Sequence, residues 1–411
     1  MKWASAISTR YSLEAAVKEV TRQTQHALGQ PADLALVFIS SSFASEYSRL
    51  LPLLQDHLTV PHLIGCGGEG VIGMNRDGEP EEVESEPALA LMLGHLPGVN
   101  LHPFHIVAED LPDLDSPPDQ WVDLIGVAVE TQPHFVLLAD ALTAKINDLL
   151  QGLDYAYPGA IKIGGLTNSN NSRGCGLFCN STLYREGCIG IALSGNLVLE
   201  TIVAQGCRPI GEPYRVAEAE RNIVLKLEPL TVEASPSSAS ARLQTPLEAL
   251  EDLIRELSES DRQLAQDSLF VGVVRDEFKQ TLEPGDFLIR NLIGLDPRAG
   301  AIAIGDRVRP GQRIQFHLRD SEASAAELEL LLQRYNQNLE VGANPIGALL
   351  FSCLGRGVGL YGKPHFDSRL FSRYLNTIPL SGFFCYGEIG PLGGETFLHG
   401  YTSAFGIFRS P

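Results

Sequence analysis

One order of segments occurs three times along this chain, so it should fold as repeats of one unit. Ala35-Leu36-Val37-Phe38-Ile39-Ser40 is a short apolar run. A helical pattern over residues 48–57 follows, then Val60-Pro61-His62-Leu63-Ile64-Gly65-Cys66-Gly67 and a further apolar run at 88–93. The order recurs as Phe135-Val136-Leu137-Leu138-Ala139-Asp140, a helical 146–155, Ile161-Lys162-Ile163-Gly164-Gly165 and 188–193. It recurs again as Gly347-Ala348-Leu349-Leu350-Phe351-Ser352, a helical 368–375, Ile378-Pro379-Leu380-Ser381-Gly382-Phe383-Phe384-Cys385 and 403–408. Each copy reads as strand, helix, strand, glycine-rich turn, strand. Continuous apolar strands joined by helices predict parallel pairing, covered sheet faces and right-handed crossovers. The expected fold is α/β: repeated strand–helix–strand units with largely parallel or mixed sheets in two halves.

Different material separates the second and third copies. Residues 231–241 (TVEASPSSASA) are small and polar and read as a linker. Thr245-Pro246-Leu247-Glu248 has the form of a helix start, with a Thr cap, Pro in the first turn and Glu three residues on. Residues 286–292 and 301–320 read as strands, with Arg309-Pro310-Gly311-Gln312 as a turn and Ser324-Ala325-Ala326-Glu327 as the next helix cap. A chain of 411 residues exceeds what one core usually holds. The expected domains are 1–215 and 216–411.

Charge and cysteine usage narrow the partners. With 31 Lys+Arg against 50 Asp+Glu, the formal charge of −19 opposes nucleic acid and anionic membrane surfaces. No run approaches the ~18–20 apolar residues of a membrane helix, and the first ten residues lack a secretory apolar segment. Seven cysteines, an odd number without tight spacing, suit reduced thiols and a cytoplasmic location. Cys175, Cys179, Cys188 and Cys207 lack the paired spacings of a zinc site. No metal and no cofactor are expected.

Several positions carry chemistry. Gly65-Cys66-Gly67-Gly68-Glu69-Gly70 formally matches a dinucleotide fingerprint, but a turn-like stretch follows where a helix is needed. The glycines fit a tight turn or a close approach to the backbone. Cys66-Gly67-Gly68-Glu69 and Cys385-Tyr386-Gly387-Glu388 both read Cys-x-Gly-Glu, which predicts matched positions for Glu69 and Glu388 at strand ends. Ligands of open α/β sheets bind beyond such ends, where a carboxylate receives a cation or ties down the turn's own amides. Arg356 leaves a strand and either clamps a carboxylate with two hydrogen bonds or lies on the surface. Cys353 and Cys385 are nucleophiles only if a neighbour lowers their pKa; buried filler is the commoner role. His399 completes a Cys–His–Glu set only if it meets Cys385 in space. Thr167 and Asn168 suit a polar wall, and five carboxylates within 79–86 read as a solvated loop. No G-x-S-x-G elbow, P-loop or His-rich motif is present.

These motifs resemble a known family. Phe287-Leu288-Ile289-Arg290-Asn291, Ile304-Gly305-Asp306, Arg309-Pro310-Gly311, Phe316-His317-Leu318-Arg319-Asp320, Phe351-Ser352-Cys353-Leu354-Gly355-Arg356-Gly357 and Gly382-Phe383-Phe384-Cys385-Tyr386-Gly387-Glu388-Ile389-Gly390-Pro391 resemble the FIST C domain. Ile64-Gly65-Cys66, Gly70-Val71-Ile72-Gly73 and Ile163-Gly164-Gly165 resemble the FIST N domain more loosely. The resemblance implies a sensory, ligand-binding role in signal transduction, with amino acids or similar metabolites as ligands. With no residues remaining for an output domain, the signal is expected to leave through a separate signalling output protein or an oligomer. On this reading Glu69 and Glu388 receive the ligand's cationic group, and Arg356 and Arg290 its carboxylate. Gly68, Gly164, Gly165 and Gly387 allow close backbone approach, with Cys66, Cys353, Cys385, His399, Asn291, Thr167 and Asn168 around them. The alternatives are an enzyme using Cys353 or Cys385, and a protein-interaction scaffold.

Overall fold

In the first copy the strand Leu34–Ser40, the helix Tyr47–Gln55 and the strand His62–Gly68 are followed by a hairpin, Gly70–Met74 with Pro80–Glu84, and a last strand Leu89–His95. The second copy runs His134–Asp140, helix Ile146–Ala156, Lys162–Thr167, the hairpin Leu177–Cys179 with Thr182–Tyr184, and Cys188–Gly195. The third runs Pro345–Cys353, helices Gly357–Tyr361 and Phe366–Tyr374, Leu380–Cys385, the hairpin Glu388–Leu392 with Glu395–His399, and Ser403–Arg409. This computed structural model describes residues 1–167, 175–230, 243–282, 285–340 and 342–411.

The copies do not share one sheet. Each builds its own six-stranded mixed sheet, in which the first and second strands are parallel and the last strand lies antiparallel beside the first. A further antiparallel strand, Lys2–Ser8, Val99–Ile106 or Val198–Ala204, flanks each last strand. The hairpins are exchanged in a ring. That of copy 1 pairs with the second strand of copy 3, that of copy 2 with copy 1, and that of copy 3 with copy 2.

Close backbone approach fixes the same register within each copy. Val37 stands opposite Gly65, Leu137 opposite Gly164, and Leu350 opposite Gly382. A Cβ at those glycines would fall 2.0, 1.8 and 1.8 Å from the facing carbonyl oxygen, so no other residue fits unstrained. The amide after each first strand's apolar run follows the same rule. Ser40 N donates to Ala88 O (2.9 Å), Asp140 N to Gly187 O (2.8 Å) and Cys353 N to Thr402 O (3.0 Å). In this register Val71, Leu177 and Glu388 occupy one equivalent position, opposite Phe383, Cys66 and Gly165.

The apolar runs are unbroken because both faces of each sheet are covered. Phe38, Val136, Leu138, Leu349 and Phe351 face one shared core, where the rings of Phe38, Phe351 and Phe383 lie 5.5–6.5 Å apart. The alternate residues meet each copy's own helix: Val37 against Leu50 and Leu54, Leu137 against Leu149 and Leu153, Leu350 against Leu370 and Phe371.

The chain divides into two compact units, residues 1–204 with 328–411 and residues 205–327. All three copies lie in the first. The second is a closed antiparallel barrel of Cys207–Glu220, Ile223–Pro229, Ala301–Ile304, Phe287–Asp296, Leu269–Val274 and Arg313–Arg319, filled by Val216, Val224, Val271, Ile302, Ile314 and Phe316. A division at 215/216 would cut the barrel's first strand. Sequence order suggests two halves, whereas pairing returns copy 3 to copies 1 and 2. The Thr245–Glu248 capping box forms as expected. The next helix begins earlier than expected, at Ser321, where Asp320 accepts the Ala323 amide. Residues 79–86 are not a loop: Pro80–Glu84 is a strand, and Glu82 on it is buried.

Candidate functional site

Copy 3 carries a buried polar network just beyond its strand ends. The chain turns at Arg356, and the guanidinium folds back under the sheet with no solvent exposure. Its Nε donates to Asp367 Oδ2 at 2.7 Å and an Nη to Asp367 Oδ1 at 3.1 Å; it also reaches Tyr361 Oη and Tyr401 O. The clamp expected for a ligand's carboxylate is therefore occupied by the chain's own Asp367. Ser403 donates to the same carboxylate. Burial raises the Asp367 pKa, but the Arg356 charge together with hydrogen bonds from Arg356, Ser403 and Tyr361 outweighs it and holds the group below the usual range. Glu82 takes the opposite direction: burial and the Asp367 charge push it up to about 7.

Glu388 begins a hairpin strand, with its carboxyl fully buried. Its Oε2 accepts the Thr402 amide at 3.0 Å, and among the described residues Oε1 has no hydrogen-bond partner. Burial drives its pKa well above the carboxylate range, opposed by the Thr402 amide, the Arg356 charge and the Cys353 thiol. Glu69 and Glu388 are not matched positions. Glu388 corresponds to Val71 and Leu177, and Glu69, two residues before Val71, corresponds to Tyr386. The shared Cys-x-Gly-Glu string is out of register with the fold by two residues. His399 stands opposite Glu388 in the hairpin and bonds through Nε2 to Gly390 O (3.0 Å).

The glycines meet protein. A Cβ on Gly68 would lie 2.7 Å from the Phe383 ring, and one on Gly165 2.6 Å from Cys385 Sγ. Gly164 faces the Leu137 carbonyl, and Gly387 O accepts the Leu166 amide at 2.8 Å. At Gly68 and Gly165 this smallness lets neighbouring copies close on one another. Thr167 Oγ1 donates across copies to Gly67 O. Cys353 and Cys385 face each other in parallel register, and Cys66 packs in the same core as Cys385. Burial first, then Glu388, Cys353 and Cys66, raise the Cys385 thiol well above its ordinary pKa. That is the reverse of an activated nucleophile. Cys66 is raised likewise, by burial and Cys175.

Glu69 remains half-buried at the meeting of all three copies. Ser41, just past the first strand of copy 1, donates to Glu69 Oε2 at 2.8 Å. Tyr386 Oη, from copy 3, donates to Oε1 at 3.2 Å. Tyr47 at the helix start packs its ring against Gly176 and its hydroxyl against Gly67, where a Cβ would sit 2.2 Å away. Its phenol pKa is raised by burial, by the Cys66 thiol and by the Glu69 charge, while Arg185 pulls it back. Carboxylate and guanidinium thus both act on the Tyr47 phenol, and Thr167 bonds to the same Gly67 that the phenol packs against. Ser41, Tyr47, Arg185 and Asp367 escape motif reading, because they lie outside the glycine turns. Only the repeat register, through Tyr386 and Glu69, gives a signal for them.

Arg290 and Asn291 belong to the barrel unit. Arg290 Nε is paired with Asp306 at 2.6 Å, and Asn291 is exposed. Asn168 lies outside the described residues. Among the described residues no group of three His, Cys, Asp or Glu could hold a metal ion, and no helix is long and apolar enough to cross a membrane. A separate cavity of about 210 Å³ lies between the copy 1 helix and the Asn180–Ser181 hairpin tip, walled by Leu51, Leu54, Leu58, Val60 and Leu63.

Family models for the FIST N domain and the FIST C domain match residues 33–229 and 246–391. An uncharacterized protein of Mycobacterium tuberculosis H37Rv, Rv0628c, is 31% identical over 413 residues, covering 99% of this chain and 100% of the relative. Another, Mb0898c of Mycobacterium bovis, is 30% identical over 404 residues, covering 96% and 95%. Among solved structures, a cyanuric acid hydrolase from A. caulinodans aligns over 99% of both chains at 10% identity, with a TM-score of 0.31, too weak a likeness to carry an argument.

Proposed function

Because the chain belongs to the FIST family, whose domains are associated with sensory signal transduction, we propose that it binds a small cationic metabolite, an amino acid or similar compound, where its three copies meet. The observation that carries this reading is the half-buried Glu69 carboxylate, oriented by hydroxyls from copies 1 and 3 and set beyond the strand ends where α/β sheets take ligands. A ligand's ammonium group would be received by Glu69. Glu388 would act beneath it as a positioning residue, since its carboxyl is buried and holds the Thr402 amide. The signal would leave through a separate output protein in the cytoplasm. The raised thiol of Cys385 weighs against the nucleophile alternative.

Thermal unfolding of wild type and Glu69→Gln against the amino acids and central metabolites tests this. A ligand present at a hundredfold its Kd adds about 2.7 kcal/mol, a shift of a few degrees for a unit of this size. A selective shift in wild type that Glu69→Gln loses is the expected result. A flat panel, or a shift that Glu69→Gln retains, counts against it.

A further inference from the structure

We infer that Arg185 is the receptor for an anionic group, a carboxylate, on whatever binds at Glu69; the inference rests on the ligand site proposed above. Arg185 follows the hairpin strand Thr182–Tyr184 and is half-buried. Its guanidinium donates to the Cys175 carbonyl at 3.2 Å. Among the described residues no carboxylate lies within ion-pair reach of it, although the chain has 50 Asp+Glu for 31 Lys+Arg. Arg208, Arg290, Arg313, Arg356 and Arg409 each face an acid directly. A guanidinium has five N–H donors in a fixed fork matched to a carboxylate, and one bond to a carbonyl leaves most of that fork for a ligand.

Its base is held in place. The Tyr184 ring stacks on His105 with centroids 3.7 Å apart, and His105 Nε2 bonds to Glu186 O at 2.9 Å, so the residues on either side of Arg185 are both fixed to one histidine. The Cys175 carbonyl it holds precedes Gly176, which packs on the Tyr47 ring, and its charge favours the ionised Tyr47 phenol while that of Glu69 opposes it. Tyr47 itself is wedged against Gly67 and Gly176 and edge-on to Phe178. A preorganised cation and a carboxylate that both act on one phenol suit a ligand with an anionic and a cationic end.

The test uses the full chain carrying 13C-labelled tyrosine, with the Tyr47 resonance identified through Tyr47→Phe. Acetate and methylammonium are titrated into wild type, Arg185→Gln, Arg185→Lys and Glu69→Gln, the other tyrosine signals reporting that each variant is folded. Acetate should move the Tyr47 signal in wild type and Glu69→Gln, with about tenfold or weaker affinity in Arg185→Gln and partial recovery in Arg185→Lys. Methylammonium should lose its effect only in Glu69→Gln. Acetate without effect on wild type, or acting equally on Arg185→Gln, overturns the inference. An amino acid that stabilises wild type and Arg185→Gln alike leaves the ligand reading standing and removes Arg185 from it. A flat amino-acid panel with an intact acetate response does the opposite.

Discussion

At the residue scale, the clearest lesson is how differently two similar-looking charges behave once placed. Arg356 and Arg185 are both single cations in loops next to strands, but Arg356 is sealed in a bidentate pair with Asp367 and Arg185 is not. Truncating one partner of a buried pair strands the other charge in a low-dielectric interior and typically costs about 3–5 kcal/mol. Arg356→Ala should therefore destabilise the protein by about that much in denaturant unfolding, and the double change Arg356→Met with Asp367→Leu should recover most of it. A loss below about 1 kcal/mol in the single variant would mean the pair behaves as a surface one. Sequence supplied the residue types at this scale but not their partners. Asp367 lies eleven residues beyond Arg356, across a helix start, and no spacing rule joins them. Glu69 and Glu388 were legible as candidates through a shared string, and that string misled because identical letters fell on different sides of the turn.

At the element scale, the exchanged hairpins do the joining. The copy 1 hairpin carries Glu82 and Glu84 onto the helices of copy 3, where Glu82 Oε1 accepts the Ser368 amide at 2.7 Å and Glu84 Oε1 the Val358 amide at 3.0 Å. His365 Nδ1 accepts the Glu82 amide in return. Elsewhere Asp154 on the copy 2 helix accepts the Thr396 amide and hydroxyl of the copy 3 hairpin, at 2.6 and 2.8 Å. Glu82 makes the first junction pH-dependent. Its folded pKa of about 7 lies above the ordinary 4.5, so the folded state holds the proton more tightly than the unfolded one. The resulting stability is complete below pH 4.5 and is lost as pH rises towards 7, roughly 3 kcal/mol in all. Wild type should lose that much relative to Glu82→Gln in unfolding curves at pH 5 and pH 8. Parallel curves would show that Glu82 titrates normally. The helices and strands of the copies were readable from apolar runs and helical periodicity. The strand at Pro80–Glu84 was not, because alternating acids read as solvated when nothing local reveals that one face packs against another copy.

At the scale of the whole molecule, the threefold repetition was visible in sequence, while its closure was not. Each second strand needs a hairpin from a different copy, and residues far apart in sequence, such as Ile72 and Gly382, become neighbours. The barrel inserted before copy 3 hides this, because a linear reading assigns that copy to a second half. For the proposed function the consequence is that a ligand at Glu69 would meet all three copies at once: Ser41 and Tyr47 from the first, Thr167 and Arg185 from the second, Tyr386 from the third. Hydrogen–deuterium exchange with and without a stabilising amino acid tests that claim most directly. Slower exchange is expected together at the amides of Gly67, Leu166 and Tyr386, one from each copy, with the 205–327 barrel unchanged. Protection confined to the barrel, or to a single copy, would contradict it.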